Sequence, residues 1–267
     1  MEYKKKLLDK IEQKTAQVGI IGMGYVGLPL ALRFLDVGFP VTGFDVDPQK
    51  ADQLSRGESY IEHIPSAPIK QGVDSGRFRP VTDFSIVTEM DAILLCVPTP
   101  LDVHREPDLS YVINSLQSIL DFLKKGQVLV LESTTYPGTT EEVILPELEK
   151  KGFEAGKDFF CVYSPEREDP GNMRYTTQNI PKVVGGVSPA CLETGEALYK
   201  GVISQVVPVS SPRVAEMTKI LENTFRAVNI ALVNELKLVA DGMGVDIFEV
   251  IKAASTKPFG YMPFYPG

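Results

Sequence analysis

The segment from residue 18 to residue 45 constrains the fold of this 267-residue chain more than any other. A short apolar stretch, Val18 to Gly22, runs into the sequence GMGYVG and then into helical periodicity that continues to Val37. A second apolar stretch, Val41 to Phe44, ends at an aspartate. A strand, a glycine-rich turn, a helix and a second strand in this order form a βαβ unit, which requires a parallel sheet.

The glycine-rich turn also predicts a ligand. Gly22 permits the tight turn, Gly24 lets the backbone approach a pyrophosphate, and Gly27 allows close packing of helix on strand. Tyr25 and Val26 open the helix, whose N-terminus favours the negative charge of a phosphate.

The second strand ends in Asp45, 18 residues beyond Gly27. A carboxylate at this place can accept hydrogen bonds from both hydroxyls of an adenosine ribose, and it repels the 2′-phosphate of NADP. No arginine follows it immediately. The predicted cofactor is therefore NAD.

The rest of the chain predicts two domains. Short apolar strands alternate with amphipathic helices as far as Val209, which predicts a Rossmann-type doubly wound α/β domain over residues 1–210. Its first 16 residues form a charged lead, interpreted as an exposed helical turn. From Arg213 to Ala240 there is neither glycine nor proline, and this stretch predicts a helix about 42 Å long that bridges domains or forms a dimer seam. Residues 211–267 are interpreted as this helix and part of a helical dimerisation and substrate domain.

Composition excludes several classes of protein. The net charge of −8 argues against a nucleic-acid partner. No apolar run reaches the ~18 residues needed to span a bilayer, and no signal peptide is recognisable, so we expect a cytoplasmic protein. Two histidines and three scattered cysteines, Cys96, Cys161 and Cys191, predict neither a metal site nor a disulfide framework; we expect all three thiols to be structural.

Five further residues are candidates for a site. Thr99 and Thr134 end parallel strands, at the sheet edge where ligands bind, although hydroxyls there are also common in turns. Glu166 follows a buried strand and can act as a base if it is partly desolvated, or it is part of a solvated loop. Lys219 and Asn223 lie one turn apart on the long helix, a spacing that also suits a surface pair.

Five ordered motifs give the chain a resemblance that covers it from about residue 15 onward. GMGYVGLPLA, CVPTP, ESTTYPGTT, SPEREDPGN and EMTKILENTFRAVNIALVNEL stand in the order seen in the UDP-glucose/GDP-mannose dehydrogenase family. The loop SPEREDPGN and the segment Arg105 to Ser110 resemble the N-acetylhexosamine branch of that family, and most of all its UDP-N-acetylglucosamine 6-dehydrogenases.

The resemblance implies an NAD-dependent, four-electron oxidation of a UDP-sugar C6 alcohol to a carboxylate, through a cysteine thiohemiacetal and thioester, as a step in supplying surface polysaccharide. By motif, Thr134 and Glu166 position and activate the hydrolytic water, and Thr99 and Thr134 contact the cofactor. Lys219 stabilises charge on the C6 oxygen and Asn223 orients that group. Glu166, Arg167, Lys219 and Asn223 are expected to contact the UDP-N-acetylhexosamine. Independently of the resemblance, we expect a homodimer built mainly on the helix from Arg213 to Ala240, because one face of so long a helix has more apolar residues than a small domain of its own could cover.

Family members carry the nucleophilic cysteine in a glycine-rich loop after the sequence Phe-Tyr-Pro-Gly. This chain ends at Gly267, before that loop, so we expect these residues alone to be inactive, as an expressed piece or a truncated gene product. A non-catalytic module for NAD binding and dimerisation is an alternative. UDP-glucose and UDP-N-acetylmannosamine 6-dehydrogenases are others, as is a 6-phosphogluconate or 3-hydroxyacid type of dehydrogenase, against which SPEREDPGN argues.

Overall fold

A computed structural model describes residues 2–167 and 177–267. Its strands are β1 Val18–Ile21, β2 Val41–Phe44, β3 Phe78–Val81, β4 Ala92–Leu95, β5 Val128–Leu131, β6 Phe160–Tyr163, β7 Lys182–Gly186 and β8 Val206–Val209. Its α-helices are α1 Glu2–Glu12, α2 Gly27–Asp36, α3 Pro48–Ser55, α4 Ser66–Asp74, α5 Ser110–Ile119, α6 Leu145–Lys150, α7 Pro189–Lys200, α8 Pro212–Gly242 and α9 Ile247–Ala254. Two 3-10 helices, Phe84–Glu89 and Leu120–Phe122, and a π-helical turn, Thr140–Ile144, complete the described elements.

The described strands form one sheet in the order β3-β2-β1-β4-β5-β6-β7-β8. All neighbours are parallel except β6 and β7, which are antiparallel. The order reverses direction beside β1, because β2 flanks it on one side and β4 on the other. Such a switch point leaves a crevice at the carboxyl ends of the strands, where open α/β sheets bind ligands. The predicted doubly wound α/β fold is confirmed.

Apolar side chains alternate between the two faces of the sheet. On β4, Leu94 belongs to one buried cluster and Leu95 to the other. The first cluster packs against residues of α1, α2 and α7, and the second against residues of α5 and α6. Helices thus cover both faces, and the sheet edge that holds the strand ends is fixed from both sides.

The N-terminal segment is more ordered than the sequence predicted. Instead of an exposed turn, residues Glu2–Glu12 form a helix whose Leu7 and Ile11 are buried in the first cluster. The two apolar residues are four apart and therefore share one face, while the lysines face outward. The expectation of an exposed lead was wrong because Leu7 and Ile11 supply a packing face of their own.

Aspartates bind the backbone at the starts of two helices. Asp47 caps α3, accepting a hydrogen bond from the Gln49 N–H at 2.9 Å. Asp108 lies one residue before the N-cap of α5, and its carboxylate accepts from the Ser110 N–H at 2.8 Å. The edge strand β3 was not predicted, because its four residues include Pro80, which interrupts strand patterns.

The chain divides into two compact units, Met1–Met217 and Thr218–Gly267. In the second unit Val233 and Ala240 of α8 pack with Ile247 and Ile251, and Phe264 contacts this cluster. The uninterrupted helix predicted from Arg213 to Ala240 is present and slightly longer, at 31 residues.

Candidate functional site

The turn between β1 and α2 tolerates only glycine at two of its positions. Gly22 has a φ of +94°, and a Cβ there would lie 2.7 Å from the carbonyl oxygen of Cys96. A Cβ on Gly27 would lie 1.9 Å from the Gly22 oxygen. Helix α2 therefore starts in direct contact with the end of β1, and its N-terminus is held against the switch point.

Asp45 is fixed at the carboxyl end of β2. Its side chain is buried and accepts hydrogen bonds from the N–H groups of Met23 at 2.9 Å and Asp47 at 3.0 Å. Lys50 Nζ lies 3.4 Å from the same carboxylate. The acid is thus oriented by two backbone donors before any ligand arrives. Lys50, which sequence reasoning missed, lies five residues beyond Asp45 rather than next to it.

A cavity of about 640 Å³ lies at this end of the sheet. Gly22, Gly24, Tyr25, Val26 and Asp45 line it. A Cβ on Gly24 would meet no atom within 4 Å, so this part of the turn faces open space. The volume, the bare glycine backbone and the fixed acid fit a dinucleotide with its pyrophosphate at the start of α2 and a ribose at Asp45.

A second, smaller cavity of about 140 Å³ lies at the ends of β4 and β5. Thr99, Ser133, Thr134 and Glu166 all line it, and it shares Val26 with the larger cavity. The structure therefore brings together three of the predicted site residues from three separate loops.

Hydroxyl groups tie these loops to one another. The Thr99 hydroxyl donates to the carbonyl oxygen of Thr134 at 2.6 Å, and the Ser133 hydroxyl donates to that of Val97 at 2.6 Å. The hydroxyl of Thr99 thus connects the end of β4 to the loop after β5, a turn-stabilising role that the sequence had left open.

The loop that carries Glu166 is held by the strand β7. The Ser164 hydroxyl donates to the Val183 carbonyl at 2.8 Å, and the Arg167 guanidinium donates to the Pro181 carbonyl at 2.6 Å. Arg167 also lines a small cavity together with Glu166. The rest of the motif, from Glu168 to Asn172, lies outside the described residues.

A buried ionic cluster that the sequence did not reveal lies behind Glu166. Glu132, directly after β5, is 1% exposed; one of its carboxylate oxygens contacts Lys182 Nζ and the other accepts from the Tyr199 hydroxyl. Burial, followed by the neighbouring Glu132 charge, raises the pKa of Tyr199 well above its ordinary value, so the phenol remains a donor. The one sign of this cluster in the sequence is that a charged residue, Glu132, directly follows an apolar strand.

All three cysteines of the sequence are buried, as predicted. Burial raises the pKa of the Cys96 and Cys161 thiols well above the usual value, and it also raises that of Cys191. Cys96 borders both cavities, yet it is 6% exposed. A neutral, enclosed thiol is a poor nucleophile, because the thiolate is the reactive form.

Lys219 and Asn223 lie one turn apart on α8, in the second compact unit. Lys219 is buried, and the Asn223 side-chain oxygen accepts a hydrogen bond from Arg226 at 3.0 Å. Their predicted roles at a substrate remain predictions. Among the residues that the structure describes, no helix is long and apolar enough to cross a lipid bilayer.

The fold and the first cavity together define an NAD-binding domain of the Rossmann type. The model of the NAD binding domain of the UDP-glucose/GDP-mannose dehydrogenase family matches residues 16–203, and the model of the central domain of that family matches residues 213–267. The chain belongs to this family, and NAD is the cofactor of its first domain.

Named relatives agree with this assignment. UDP-N-acetyl-D-glucosamine 6-dehydrogenase of Pseudomonas aeruginosa is 39% identical over 256 residues, which cover 95% of this chain and 60% of that protein. UDP-N-acetyl-D-mannosamine dehydrogenase of Escherichia coli K12 is 36% identical over 91% of this chain and 59% of its own length. The chain thus spans about 60% of the length of the curated relatives it matches.

Solved structures show the same architecture. UDP-D-ManNAc dehydrogenase from Pyrococcus horikoshii superposes with a TM-score of 0.88 at 31% identity, over 94% of this chain and 60% of that one. A ternary complex of GDP-mannose dehydrogenase from Pseudomonas aeruginosa gives a TM-score of 0.83 at 28% identity, over 90% of this chain and 56% of that one.

Proposed function

We propose that these residues are the NAD-binding and central part of a UDP-N-acetylhexosamine 6-dehydrogenase, which oxidises the sugar C6 alcohol to a carboxylate. NAD, when bound, supplies the hydride acceptor for each of the two oxidations, and water supplies the second carboxylate oxygen. UDP-N-acetylglucosamine and UDP-N-acetylmannosamine are both within the proposal, because relatives named for each are similar to the chain.

One observation carries the proposal: the cavity lined by Thr99, Thr134 and Glu166 adjoins the cavity lined by the glycine turn and Asp45. A sugar alcohol in the smaller cavity therefore lies next to the cofactor, as hydride transfer requires. Thr134 and Glu166 line the same space, so one can hold a water molecule while the other accepts its proton.

The remaining roles rest on the family motifs that these residues occupy. Lys219 stabilises negative charge that develops on the C6 oxygen, and Asn223 orients that group. Arg167, whose guanidinium also donates to the Pro181 carbonyl, contacts the substrate.

The buried thiols support a further part of the proposal, that these 267 residues bind NAD but do not make a uronate. Converting an aldehyde to an acid by hydride transfer requires a tetrahedral adduct first, which a cysteine thiolate forms in the family reaction. Cys96, Cys161 and Cys191 are enclosed, and their raised pKa values keep them protonated.

The test compares two polypeptides: the 267-residue chain and the same chain extended by its natural downstream sequence. Each is given NAD and a panel of UDP-sugars, and NADH and uronate are measured by absorbance and mass spectrometry. We expect the extended protein to yield two NADH per uronate with a UDP-N-acetylhexosamine, and the shorter chain to yield no uronate.

Each outcome has a defined meaning. Activity of the extended protein with UDP-glucose alone would refute the substrate assignment. Its inactivity with the whole panel, while NAD still binds, would favour the non-catalytic module. Uronate made by the shorter chain would refute its predicted inactivity and direct attention to Cys161 or Cys191.

We further propose that the protein is a cytoplasmic homodimer that associates mainly through α8. Apolar side chains on the second unit's part of this helix are exposed; they are Leu221, Phe225, Val228, Leu232, Leu236, Leu238 and Val239. Contiguous apolar surface of this kind marks an interface in soluble proteins. The cytoplasm is where both NAD and nucleotide sugars are supplied.

A further inference from the structure

The buried cluster of Glu132, Lys182 and Tyr199 has no part in the site residues assigned above, yet it borders them. Glu132 lines the cavity of Thr134 and Glu166, and it also lines the small cavity that Lys182 shares with Glu166. We propose that Glu132, Lys182 and Tyr199 are positioning residues for Glu166: they hold its loop and balance the charge that faces its carboxylate. This inference rests on the proposed function only for the chemical role of Glu166.

The holding part follows from contacts between the cluster and the loop backbone. Lys182 Nζ reaches the Pro165 carbonyl oxygen at 3.4 Å while it pairs with Glu132. The Glu166 N–H donates to the Glu132 carbonyl oxygen at 3.4 Å. One residue on each side of the loop, Lys182 of β7 and Glu132 after β5, therefore fixes the peptide units before and at Glu166.

The charge part follows from burial. Glu132 is 1% exposed and Lys182 is 9% exposed, so water screens neither charge well. Two carboxylates that line one cavity disfavour each other's ionised form, and a nearby cation offsets this. Lys182 contacts Glu132 directly, and its ammonium also lies 5.2 Å from the centre of the Tyr199 ring.

The groups of neighbouring elements agree with this arrangement. Cys96, after β4, has a pKa that burial raises most, that Glu132 and Glu166 raise further, and that Lys182 lowers. One thiol thus experiences both carboxylates and the ammonium. Among the residues that the structure describes, Arg167 lines the small cavity together with Glu166, and the Tyr199 hydroxyl of α7 donates to Glu132. Lys182 pairs with Glu132 and lines that same cavity with Glu166.

The experiment is a carbon-13 NMR titration of glutamate carboxyl groups in the whole 267-residue chain, with Glu132→Gln and Glu166→Gln used to assign the two signals. In Lys182→Met we expect Glu166 to bind its proton with about tenfold higher affinity, because the Glu132 carboxylate then lines its cavity without the Lys182 ammonium. In Glu132→Gln we expect the proton affinity of Glu166 to fall, because the Lys182 ammonium is then no longer paired with Glu132. The double variant returns Glu166 to near its original affinity.

Lys200→Met is the matched control, since Lys200 follows Tyr199 on α7 but pairs with Glu196 in an exposed ion pair at 2.8 Å. It should leave both signals unchanged. A role confined to stability would lower the melting temperature of both single variants without moving Glu166 in opposite directions. Unaltered Glu166 titration in Lys182→Met and Glu132→Gln would overturn the proposal.

Loss of folding in Lys182→Met leaves the test intact. In Glu132→Gln the Lys182 ammonium keeps the Pro165 carbonyl oxygen at 3.4 Å as a partner, and the double variant removes both buried charges. The Glu166 shift in those two variants then decides. NAD binding by each variant reports an intact first domain. Since no turnover is measured, failure of the proposed dehydrogenase activity and failure of this inference are seen in different experiments.

Discussion

At the end of β2, Asp45 and Lys50 set the charge that a cofactor ribose meets. The carboxylate is held by two backbone N–H groups and lies 3.4 Å from Lys50 Nζ. A 2′-phosphate would have to displace this arrangement or face the carboxylate. We therefore expect selectivity for NAD to depend on Asp45, which is oriented in advance and lies beside a lysine.

We expect the chain to bind NAD at least about tenfold more tightly than NADP, because the 2′-phosphate is a like charge to Asp45. Asp45→Ala should weaken NAD binding by about 1.5–3 kcal/mol, the usual contribution of hydrogen bonds to a charged group, and it should reduce the difference in affinity between NAD and NADP. Lys50→Met should increase that difference. Isothermal titration calorimetry with both cofactors measures each value, and equal affinities in the unaltered chain would contradict the prediction.

Gly22 and Gly24 lie two residues apart but carry different constraints. Gly22→Ala combines a φ of +94° with a Cβ 2.7 Å from the Cys96 oxygen. It should lower the free energy of unfolding by about 1–3 kcal/mol, the cost of a side chain in a strained backbone region. The new Cβ of Gly24→Ala would have no atom within 4 Å, so this variant should leave the free energy of unfolding unchanged. It should weaken NAD binding, because the Cβ occupies space at the pyrophosphate.

Urea denaturation and NAD titration separate the two effects of these variants. If Gly24→Ala lost stability as Gly22→Ala does, the turn would not have the open side that the structure gives it.

Among the elements, the first turns of α8 are joined to the start of the π-helical turn by Glu216. This carboxylate is fully buried and accepts hydrogen bonds from the N–H groups of Gly138 at 2.5 Å and Thr140 at 2.9 Å. The Thr140 hydroxyl donates to it as well, at 2.7 Å. An acid from a distant segment thus satisfies free N–H groups at a helix start, which also carries a partial positive charge.

Glu216→Gln should lower the free energy of unfolding by about 2 kcal/mol, because it removes the charge from three hydrogen bonds and aims an amide donor at other donors. Glu193→Gln is the control, since Glu193 forms an exposed pair with Lys4. Urea denaturation followed by circular dichroism measures both. A loss in Glu216→Gln no larger than in the control would show that these bonds contribute little.

For the whole molecule, association is the property that the exposed face of α8 predicts. Leu221 and Leu232 are 62% and 54% exposed, and they lie eleven residues apart, which is three turns and hence one face. Exposed leucines on one face of a helix favour contact with a second copy of the chain over contact with water.

We expect the chain to sediment as a dimer at micromolar concentration, and Leu221→Asp with Leu232→Asp to sediment as a monomer that still binds NAD. Asp241→Ala, at an exposed position of the same helix about five and a half turns from Leu221 and so on its opposite face, should remain dimeric. Analytical ultracentrifugation decides, and a monomer in the unaltered chain would remove the basis for the dimer.

The sequence by itself determined the parts of this protein that depend on backbone constraints over short distances. Strand, glycine turn, helix and Asp45 lie within about thirty residues, and each step is dictated by local sterics or periodicity. The long helix was equally predictable, since 28 residues without glycine or proline have few alternatives.

Only the tertiary structure decided which distant side chains meet. Glu132 lies 50 residues from Lys182 and 67 from Tyr199, and no spacing in the sequence joins them. They meet because β7 and α7 pack beside β5 and β6, and because the apolar surroundings require each buried charge to find a partner. The same cause made α1 a packed helix: Leu7 and Ile11 needed a surface to cover, and the folded sheet supplied it.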